Sequence, residues 1–313
     1  MSNTSWGLAQ IWNESLAASQ ADRELVPRSH MWASELGGSF YDRYYRMRAR
    51  TPSTPPNMRS MRKFQAGNLT EFLVKTILER AGLLKETQTR VNNSEFALEV
   101  HGKLDFLAGG EIQTVAIHSS AFGDLPEEFA MLAVTFLDRL CALHPNGFRD
   151  QILEVKSCSG MMFNLYETKP ATHHLLQAFH YSYTLKVPAS VIYISRDDLR
   201  LIEYQIYPTN QTLLKQYRED IEGMAEVLAK DSPIPEPRLV LENDKFKKNW
   251  KLQYSNYLTD YGFTQPDEYA DQASKLAGSL NRILKRKKEG KPMTEKNIEA
   301  LDKGIMFAWG QKV

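Results

Sequence analysis

The sequence has little cysteine, no long apolar run and no strong charge of either sign. Its 313 residues include only two cysteines, Cys141 and Cys158, which excludes a disulfide framework and a four-cysteine metal site. No segment approaches the roughly 18 uninterrupted apolar residues of a membrane helix. The N-terminal residues lack the basic and apolar segments of a signal peptide. Since the formal net charge is +1, a nucleic acid would have to be met by a local basic patch.

The remaining composition is that of a globular protein. Apolar residues make up 42% and charged residues 25% of the chain, both ordinary proportions. The hydrophobic pattern predicts a mixed α/β core with helices before and after it. We expect three segments: a helical N-terminal region at 1–60, a core at 61–231 with an inserted helix at 126–144, and a helical C-terminal region at 232–313 that starts with a proline-rich break.

Periodicity and turn residues predict the individual elements. Asn68, with Glu71 three residues later, has the spacing of a capping box, and Gly82 is a stop signal for that helix. The predicted helices are 5–20, 32–48, 68–83, 126–144 and 170–186, and the predicted strands are 96–102, 103–109, 114–119, 151–156, 189–195 and 199–207.

Two opposite charges lie close together on one predicted strand. Glu154 and Lys156 are two positions apart, and side chains at that spacing share a face of a strand. Asp105 lies on an earlier strand, so carboxylates from two strands can meet at one point. Two carboxylates and a backbone carbonyl suit a hard cation, and a nearby lysine can orient a water or stabilise charge on a phosphate. The alternative is a cross-strand charge pair at a sheet margin.

Four short motifs occur in a defined order along the chain. They are Gly67 to Glu71, Gly102-Lys103-Leu104-Asp105, Glu154-Val155-Lys156, and Gln177 with Tyr181 four residues later on a predicted helix. Together they resemble the RecB-like branch of the PD-(D/E)XK nuclease superfamily. That branch has an early helix with a histidine or glutamate metal ligand, a G-x-x-D strand, a D/E-h-K strand and a Q-x-x-x-Y helix. The resemblance covers residues 30–260.

The resemblance implies a fold and a metal site. The fold would be restriction-endonuclease-like, an α/β fold with a mixed central sheet flanked by helices, here with helical additions at both ends. Glu71, Asp105 and Glu154 would bind one or two Mg²⁺ or Mn²⁺ ions, and the Val155 carbonyl would complete the set.

The resemblance also implies roles for other residues and a reaction. Lys156 would orient the attacking water, and Gln177 and Tyr181 would hold the site and contact the DNA strand. With Asp105 and Glu154, these are the predicted catalytic residues. The reaction implied is phosphodiester hydrolysis by in-line attack of water.

The chain is similar to CRISPR-associated and phage RecB-like exonucleases, many of which hold an iron–sulphur cluster with four cysteines. Here Ser39, Leu252 and Ser255 stand where three of those cysteines would be expected. We therefore expect no iron–sulphur cluster.

A basic and aromatic segment predicts a DNA-binding surface. Residues 40–63 hold seven basic residues against one acid, with tyrosines between them. Arginines contact phosphates and aromatic rings stack on bases, which suits a single-strand channel. The alternative is a solvated helix face with tyrosines in the core. The predicted contacts are Arg43, Tyr44, Tyr45, Arg46, Arg48, Arg50, Arg62 and Lys63.

The hypothesis from the sequence is a metal-dependent deoxyribonuclease, an exonuclease acting on single-stranded DNA or DNA ends in recombination, replication or repair. Two alternatives stay open: a structure-specific or restriction-like endonuclease, and a non-catalytic DNA-binding or assembly scaffold. We expect DNA as the partner, no membrane, and a location in bacterial or phage-infected host cytosol. A homo-oligomer and a recombination or replication partner protein are both compatible with the sequence.

Overall fold

The computed structural model describes residues 8–21, 25–110, 123–124, 126–233 and 235–308. The helices are α1 (Leu8–Ala21), α2 (Phe40–Met47), α3 (Met58–Arg80), α4 (Glu127–Leu143), α5 (Gly160–Thr168), α6 (Thr172–Leu185), α7 (Gln211–Lys230), α8 (Trp250–Gln253), α9 (Pro266–Lys288) and α10 (Glu295–Ala308). The strands are β1 (Met31–Trp32), β2 (Leu84–Thr87), β3 (Arg90–Asn93), β4 (Val100–Lys103), β5 (Phe106–Gly110), β6 (Phe148–Cys158), β7 (Ala189–Ser195), β8 (Leu201–Ile206), β9 (Leu239–Glu242) and β10 (Lys245–Lys248).

The chain forms two compact units. The first comprises residues 1–22, 29–37 and 57–222, and the second comprises 23–28, 38–56 and 223–313. The predicted N-terminal segment 1–60 therefore contributes to both units. Among the described residues, no helix combines the length and apolar character that crossing a bilayer requires.

A five-stranded mixed sheet is the centre of the first unit. Its strand order is β2-β5-β6-β7-β8, with β6 and β7 parallel and the other neighbours antiparallel. Parallel strands need a long crossover, and α5 and α6 provide it between β6 and β7. A smaller sheet of order β1-β4-β3 belongs to the same unit. The predicted α/β class, a mixed sheet flanked by helices with helical parts at both ends, is confirmed.

Helix α3 covers one face of the five-stranded sheet. Val74 and Leu78 are four residues apart, so they share a side of the helix, and they pack against a buried sheet cluster that includes Val155. Because neighbouring side chains of a strand point to opposite faces, Glu154 and Lys156 are directed away from the face that α3 covers.

The inserted helix α4 packs on the end of α3 and the residues after it. Ala133, Leu137 and Cys141 recur every four residues and are buried with Ala81 and Leu83. This spacing places them on one side of the helix. The predicted helix at 126–144 is confirmed, with Pro126 directly before its first residue.

The second unit has its own hydrophobic core. Along α9, the buried residues Tyr269, Ala273, Ala277 and Leu280 form one stripe, as expected for an amphipathic helix. The stripe packs with residues of α2, the β9–β10 hairpin, α8 and α10. The described part of the region after residue 232 is therefore not purely helical.

Asp42 links two segments inside the second unit. Its carboxylate accepts hydrogen bonds from Ser255 Oγ (2.7 Å) and the Asn256 backbone nitrogen (2.8 Å), and its own backbone N–H donates to Ser39 Oγ. Ser39 and Ser255, two of the positions at which cluster cysteines would be expected, thus both bond to Asp42. Leu252, the third, is 1% exposed within the hydrophobic core.

The predicted helix at 32–48 is confirmed only over its second half, as α2, and is wrong before Phe40. Strand β1 ends at Trp32, a 3₁₀ turn follows at Ala33–Glu35, and α2 begins only at Phe40. Gly37 has φ +70°, a left-handed conformation that interrupts a helix and that glycine adopts at little cost.

Helix α1 exposes two large apolar side chains, Ile11 and Trp12, which are 54% and 53% exposed.

Helix α3 begins ten residues earlier than predicted. Asn57, rather than Asn68, is its N-cap, with Oδ1 accepting a hydrogen bond of 3.0 Å from the Ser60 backbone nitrogen. Asn68 and Glu71 are in the helix interior, so their capping-box spacing is coincidental. Gly82, with φ +73°, follows the helix end as predicted.

Several short elements were not predicted from the sequence. They are β2, β3, α5 and the β9–β10 hairpin. The strands are only four residues long and each has at most two buried residues, so their apolar patterns are weak. The strand predicted at 114–119 lies outside the described residues.

Candidate active site

Glu154 and Lys156 form an ion pair on one face of the central strand β6. Lys156 Nζ lies 2.5 Å from Glu154 Oε1. Glu154 is completely buried, and this burial raises its pKa although the ammonium group opposes the shift. Burial acts against the charge of Lys156, but the Glu154 and Asp105 carboxylates prevail and raise the pKa of the lysine.

Asp105 lies opposite Glu154, one residue before β5 begins. Phe106 pairs with Leu153 in the antiparallel ladder, and extending that register by one residue brings Asp105 beside Glu154. Asp105 Oδ2 accepts a hydrogen bond of 2.8 Å from the Val155 backbone nitrogen. Burial raises the pKa of Asp105, while the nearby lysine and this hydrogen bond act in the opposite direction. Two strands thus bring two carboxylates to one place.

Helix α3 contributes a third carboxylate, that of Glu71. Glu71 Oε1 accepts a hydrogen bond of 2.8 Å from Gln88 Nε2. Burial raises the pKa of Glu71 and the negative charge of Asp105 raises it further, whereas Lys156 and Gln88 lower it. The three predicted acidic ligands are therefore within electrostatic range of one another and of the lysine.

The Gln177 and Tyr181 side chains meet beside the strand that carries Gly102. Tyr181 Oη donates a hydrogen bond of 2.9 Å to the Lys103 carbonyl, and Gln177 Nε2 lies 3.4 Å from the Tyr181 oxygen. A Cβ added to Gly102 would lie 2.4 Å from Tyr181 Cε1 and 3.0 Å from Ala33 Cβ. A glycine is needed there because the tyrosine ring lies directly against the backbone.

The acidic cluster fits a divalent cation by donor type. Its donors are carboxylate oxygens, the ligands that Mg²⁺ and Mn²⁺ prefer. Glu154 Oε2 is buried and has no hydrogen-bond partner among the described residues, a costly arrangement that a cation would relieve. In the described part of the chain, however, no three His, Cys, Asp or Glu side chains converge closely enough to hold a metal ion as they stand.

Two clefts in the first unit include residues of this site. One has a volume of about 420 Å³ and is lined by Asn68, Glu71, Phe72, Lys75, Thr87, Gln88 and Phe106. The other, of about 270 Å³, is lined by Trp32, Ala33, Ser34, Gly102, Lys103, Gln177 and Tyr181. Glu71 of α3 is half-buried at the first cleft, whereas Gln177 and Tyr181 of α6 are buried beneath the second, at 8% and 1% exposure.

The prediction that Arg43 contacts DNA is corrected by its burial. Arg43 is 1% exposed, its guanidinium donates to the backbone carbonyls of Gly38 and Ser39, and it stacks over the Phe40 ring at 4.5 Å. A side chain enclosed in this way stabilises the start of α2 and cannot contact a phosphate.

The neighbouring tyrosines and arginines are also engaged within the second unit. Tyr44 is buried, and Asp231 accepts hydrogen bonds of 2.6 Å from both Tyr44 Oη and Arg48. Arg50 forms a two-pronged ion pair with Asp260 and lies 4.3 Å from the centre of the Tyr45 ring. These contacts favour the alternative of core tyrosines.

Arg46, Arg62 and Lys63, among the predicted DNA contacts, are at least partly exposed. Arg46 lies 3.7 Å from Asp42 and its side chain is 35% exposed. On α3, Lys63 is exposed, and the exposed Arg62 donates a hydrogen bond of 2.7 Å to Asn13 Oδ1. A DNA contact by these three residues stays a prediction.

Gln88 is the neighbour of the acidic cluster that sequence reasoning missed. Besides its bond to Glu71, its backbone nitrogen donates to the Asp105 carbonyl at 3.3 Å. Its φ is +53°, which is uncommon outside glycine and asparagine. No motif marks such a residue, since a glutamine between two short polar strands reads as an ordinary turn.

No protein-family model matches this chain, and no curated protein is similar to it in sequence. Among solved structures it is similar to the crystal structure of SSO0001, with a TM-score of 0.44, 12% identity and coverage of 79% of this chain and 92% of that one. It is also similar to LHK-Exo, an alkaline exonuclease from Laribacter hongkongensis, with a TM-score of 0.37, 11% identity and coverage of 70% and 97%. For LHK-Exo in complex with dAMP, the TM-score is 0.40, the identity 11% and the coverage 64% and 89%.

Proposed function

We propose that this chain is a metal-dependent DNA nuclease, and specifically an exonuclease that hydrolyses phosphodiester bonds of single-stranded DNA or at DNA ends. The observation that carries the proposal is the Glu154–Lys156 ion pair beside Asp105, with Glu71 within electrostatic range. In this pair, Glu154 Oε2 is buried without a partner among the described residues. Each residue of the cluster comes from one of the motifs that resemble the nuclease superfamily.

A purely structural ion pair would account for less of this geometry. Glu154 and Lys156 alone would neutralise each other, yet Asp105 and Glu71 add negative charge that raises the pKa of Glu154 further. Gathering like charges in a partly buried place opposes folding, and such perturbed groups concentrate at functional sites. This supports a catalytic site rather than a structural charge pair at the edge of the sheet or a non-catalytic scaffold.

The proposed roles follow from the contacts of each residue. Glu71, Asp105 and Glu154, with the Val155 carbonyl, would hold Mg²⁺ or Mn²⁺. A divalent cation there would stabilise the charge that develops on the phosphate oxygens during hydrolysis. Lys156, kept charged by the carboxylates, would orient the attacking water or contact a phosphate oxygen.

Gln177 and Tyr181 have different proposed roles. Tyr181 donates a hydrogen bond to the Lys103 carbonyl and so acts as a positioning residue for the strand that leads to Asp105. Gln177 lines the smaller cleft, where its amide can contact the DNA strand.

The test is cleavage of single-stranded DNA labelled at either end, with Mg²⁺, with Mn²⁺ and with EDTA. Glu154→Gln and Lys156→Met preserve side-chain size and remove the charge. We expect cleavage with metal only, reduced by about 10²-fold or more in both variants, the order of magnitude of losing one transition-state contact. Lys215→Ala is the matched control, because that exposed lysine pairs with Glu219 on the surface.

The products and the substrate shape separate the alternatives. Stepwise shortening from one label gives the polarity of an exonuclease, whereas cleavage of a closed circle would favour the endonuclease. Folded wild-type protein that binds DNA and leaves every substrate intact with both metals would favour the scaffold.

A further inference from the structure

The larger cleft has dimensions and walls that the catalytic cluster does not explain. Its volume of about 420 Å³ falls within the roughly 300–1,000 Å³ of small-molecule pockets. Glu71 and Gln88 form one wall, so the cleft shares that wall with the candidate active site. The remaining walls are Phe72 and Lys75 of α3, together with Asn68, Thr87 and Phe106.

Phe72 presents an aromatic ring to solvent at this cleft. It is 66% exposed, although burying a phenylalanine would stabilise the fold by about 1.5–3 kcal/mol. In the part of the chain that the structure describes, no other aromatic ring stacks against it. Phe72 and Glu71 both line the cleft, so an apolar flat surface and a metal-ligand candidate share it.

Lys75 places a positive charge on the same side of α3. Residues three and four apart on a helix are neighbours, so Lys75 lies close to both Phe72 and Glu71. Within the described ranges, Lys75 makes no ion pair or hydrogen bond. Its ammonium group is therefore available to a phosphate.

The polar edge of the cleft offers hydrogen-bond groups. Asn68 and Thr87 are both exposed, and the Asn68 amide makes one long bond of 3.5 Å to Gln65. An aromatic face, a lysine and short polar side chains are the three kinds of group that bind a nucleotide by its base, its phosphate and its base edge.

We propose that this cleft binds one nucleotide of a single-stranded DNA substrate, with its base stacked on Phe72 and a phosphate of the strand held by Lys75. Since the cleft shares Glu71 with the candidate active site, the bound nucleotide adjoins the phosphodiester that is cleaved. This assignment rests on the proposed nuclease function and adds the position and the chemistry of one substrate subsite. Recognition by stacking tolerates every base, so the cleft selects single strands rather than a sequence.

The test measures binding without cleavage. Oligodeoxythymidine with a single 2-aminopurine is titrated with protein in EDTA, where stacking quenches the fluorescence of the probe. Phe72→Ala is expected to weaken binding by about 5- to 150-fold, the equivalent of losing one base–aromatic stack, and to remove the quenching. Phe72→Trp is expected to retain both. Lys75→Gln is expected to reduce the slope of log affinity against log salt by about 0.7, one phosphate contact on a single strand.

Leu69→Ala is the matched control. Leu69 is on the same helix and is 61% exposed, but it does not line the cleft. The DNA affinity and the fluorescence quenching of the Leu69→Ala variant are expected to equal those of the wild type. An equal loss for Leu69→Ala and Phe72→Ala would mean a general apolar helix surface, and would overturn the assignment.

Other outcomes separate this inference from the proposed function. Unchanged affinity and quenching in Phe72→Ala, with metal-dependent cleavage intact, would overturn the assignment of the cleft as a nucleotide subsite. The proposed nuclease activity would be unaffected. Binding that depends on Phe72, without cleavage of any substrate, would support the nucleotide subsite and reject the proposed nuclease activity. Deoxynucleoside monophosphates that bind as tightly as the oligonucleotide, and with the same dependence on Phe72, would reject a strand-binding subsite in favour of a free-nucleotide site.

Discussion

Gln88 donates a hydrogen bond of 2.8 Å from its side-chain amide to Glu71 Oε1 while its backbone has a φ of +53°. A left-handed conformation costs a non-glycine residue about 1–2 kcal/mol. The bond keeps the Glu71 carboxylate oriented and lowers its pKa against the effect of burial. The backbone conformation of Gln88 therefore lowers stability, whereas its side chain orients Glu71 in the candidate site.

The substitution Gln88→Gly removes both the backbone strain and the side-chain bond to Glu71, and the two effects can be measured separately. It removes the backbone strain, so we expect the thermal unfolding midpoint to rise. It also frees Glu71, so we expect Mn²⁺ affinity and cleavage rate to fall several-fold. Calorimetric titration with Mn²⁺ and a thermal melt measure both quantities. Gln88→Asn keeps an amide and tolerates the left-handed conformation. Its unfolding midpoint and its Mn²⁺ affinity are therefore expected to lie between those of the wild type and those of Gln88→Gly. Equal affinity in all three proteins would show that Gln88 does not position Glu71.

Gly102 and Gly67 form a matched pair of glycine positions. A Cβ at Gly102 would overlap the Tyr181 ring, whereas one at Gly67 would meet only Ser157 Oγ at 3.5 Å. We expect Gly102→Ala to destabilise the protein by about 1–3 kcal/mol, the usual result of overpacking. Gly67→Ala, inside helix α3, should instead stabilise it by up to about 1 kcal/mol. Urea unfolding of the two variants checks the signs, and a stable Gly102→Ala protein would contradict the close packing of Tyr181.

His180 should make stability depend on pH below neutrality. It is buried between Tyr217 Oη (2.8 Å) and the Val91 carbonyl (3.1 Å), and burial lowers its pKa to about 4. The unfolded histidine has a pKa near 6.5, so between these values only the unfolded chain binds the proton. Stability should therefore fall as the pH decreases from about 6.5 toward 4, by up to about 1.4 kcal/mol per pH unit from this group.

Unfolding of the wild type and of His180→Gln across this pH range measures the effect. The variant should show a shallower pH dependence, by one bound proton, because it lacks this titrating group. Parallel curves for the two proteins would mean that His180 is protonated equally in the folded and unfolded states.

Asp42 should be a major determinant of the stability of the second unit. Replacement by alanine leaves Ser255 Oγ and the Asn256 nitrogen without their acceptor, and hydrogen bonds to a charged group contribute about 1.5–3 kcal/mol each. We expect Asp42→Ala to lower the free energy of unfolding by about 2–4 kcal/mol and Asp42→Asn to lower it less. Glu226→Ala is the control, because that carboxylate of the second unit is 64% exposed and pairs with Lys230 on the helix surface. Similar losses for Asp42→Ala and Glu226→Ala would contradict the linking role.

The sequence was most informative where apolar periodicity and charge coincide. Strand β6 was predicted because Ile152, Leu153 and Val155 favour a strand and the charges of Glu154 and Lys156 alternate with Val155. Helices α4 and α6 and the β7–β8 hairpin were predicted for similar reasons, since their apolar residues follow one period throughout. Asp105 was selected by its motif, and the register of β5 against β6 brings it opposite Glu154.

The sequence was least informative where one local pattern has two structural meanings. Asn68 and Glu71 have capping-box spacing, but Asn57 follows a proline-rich segment that a helix cannot enter, and the helix begins there. Arg43 belongs to a basic run and is nevertheless buried, because nearby carbonyls and the Phe40 ring satisfy its guanidinium. Such satisfaction depends on tertiary contacts that no local pattern contains.

In the second unit, Asn281 acts as a substitute for a strand. Its amide nitrogen donates 2.9 Å to the Phe246 carbonyl, and its oxygen accepts 2.7 Å from the Phe246 nitrogen, so one side chain makes the pair of bonds that a further strand would make to β10. An exposed edge strand is a template for pairing with other chains, and lysines on such an edge oppose that pairing. With Asn281 on Phe246 and lysines at 245, 247 and 248, the β9–β10 hairpin is protected against edge-to-edge aggregation.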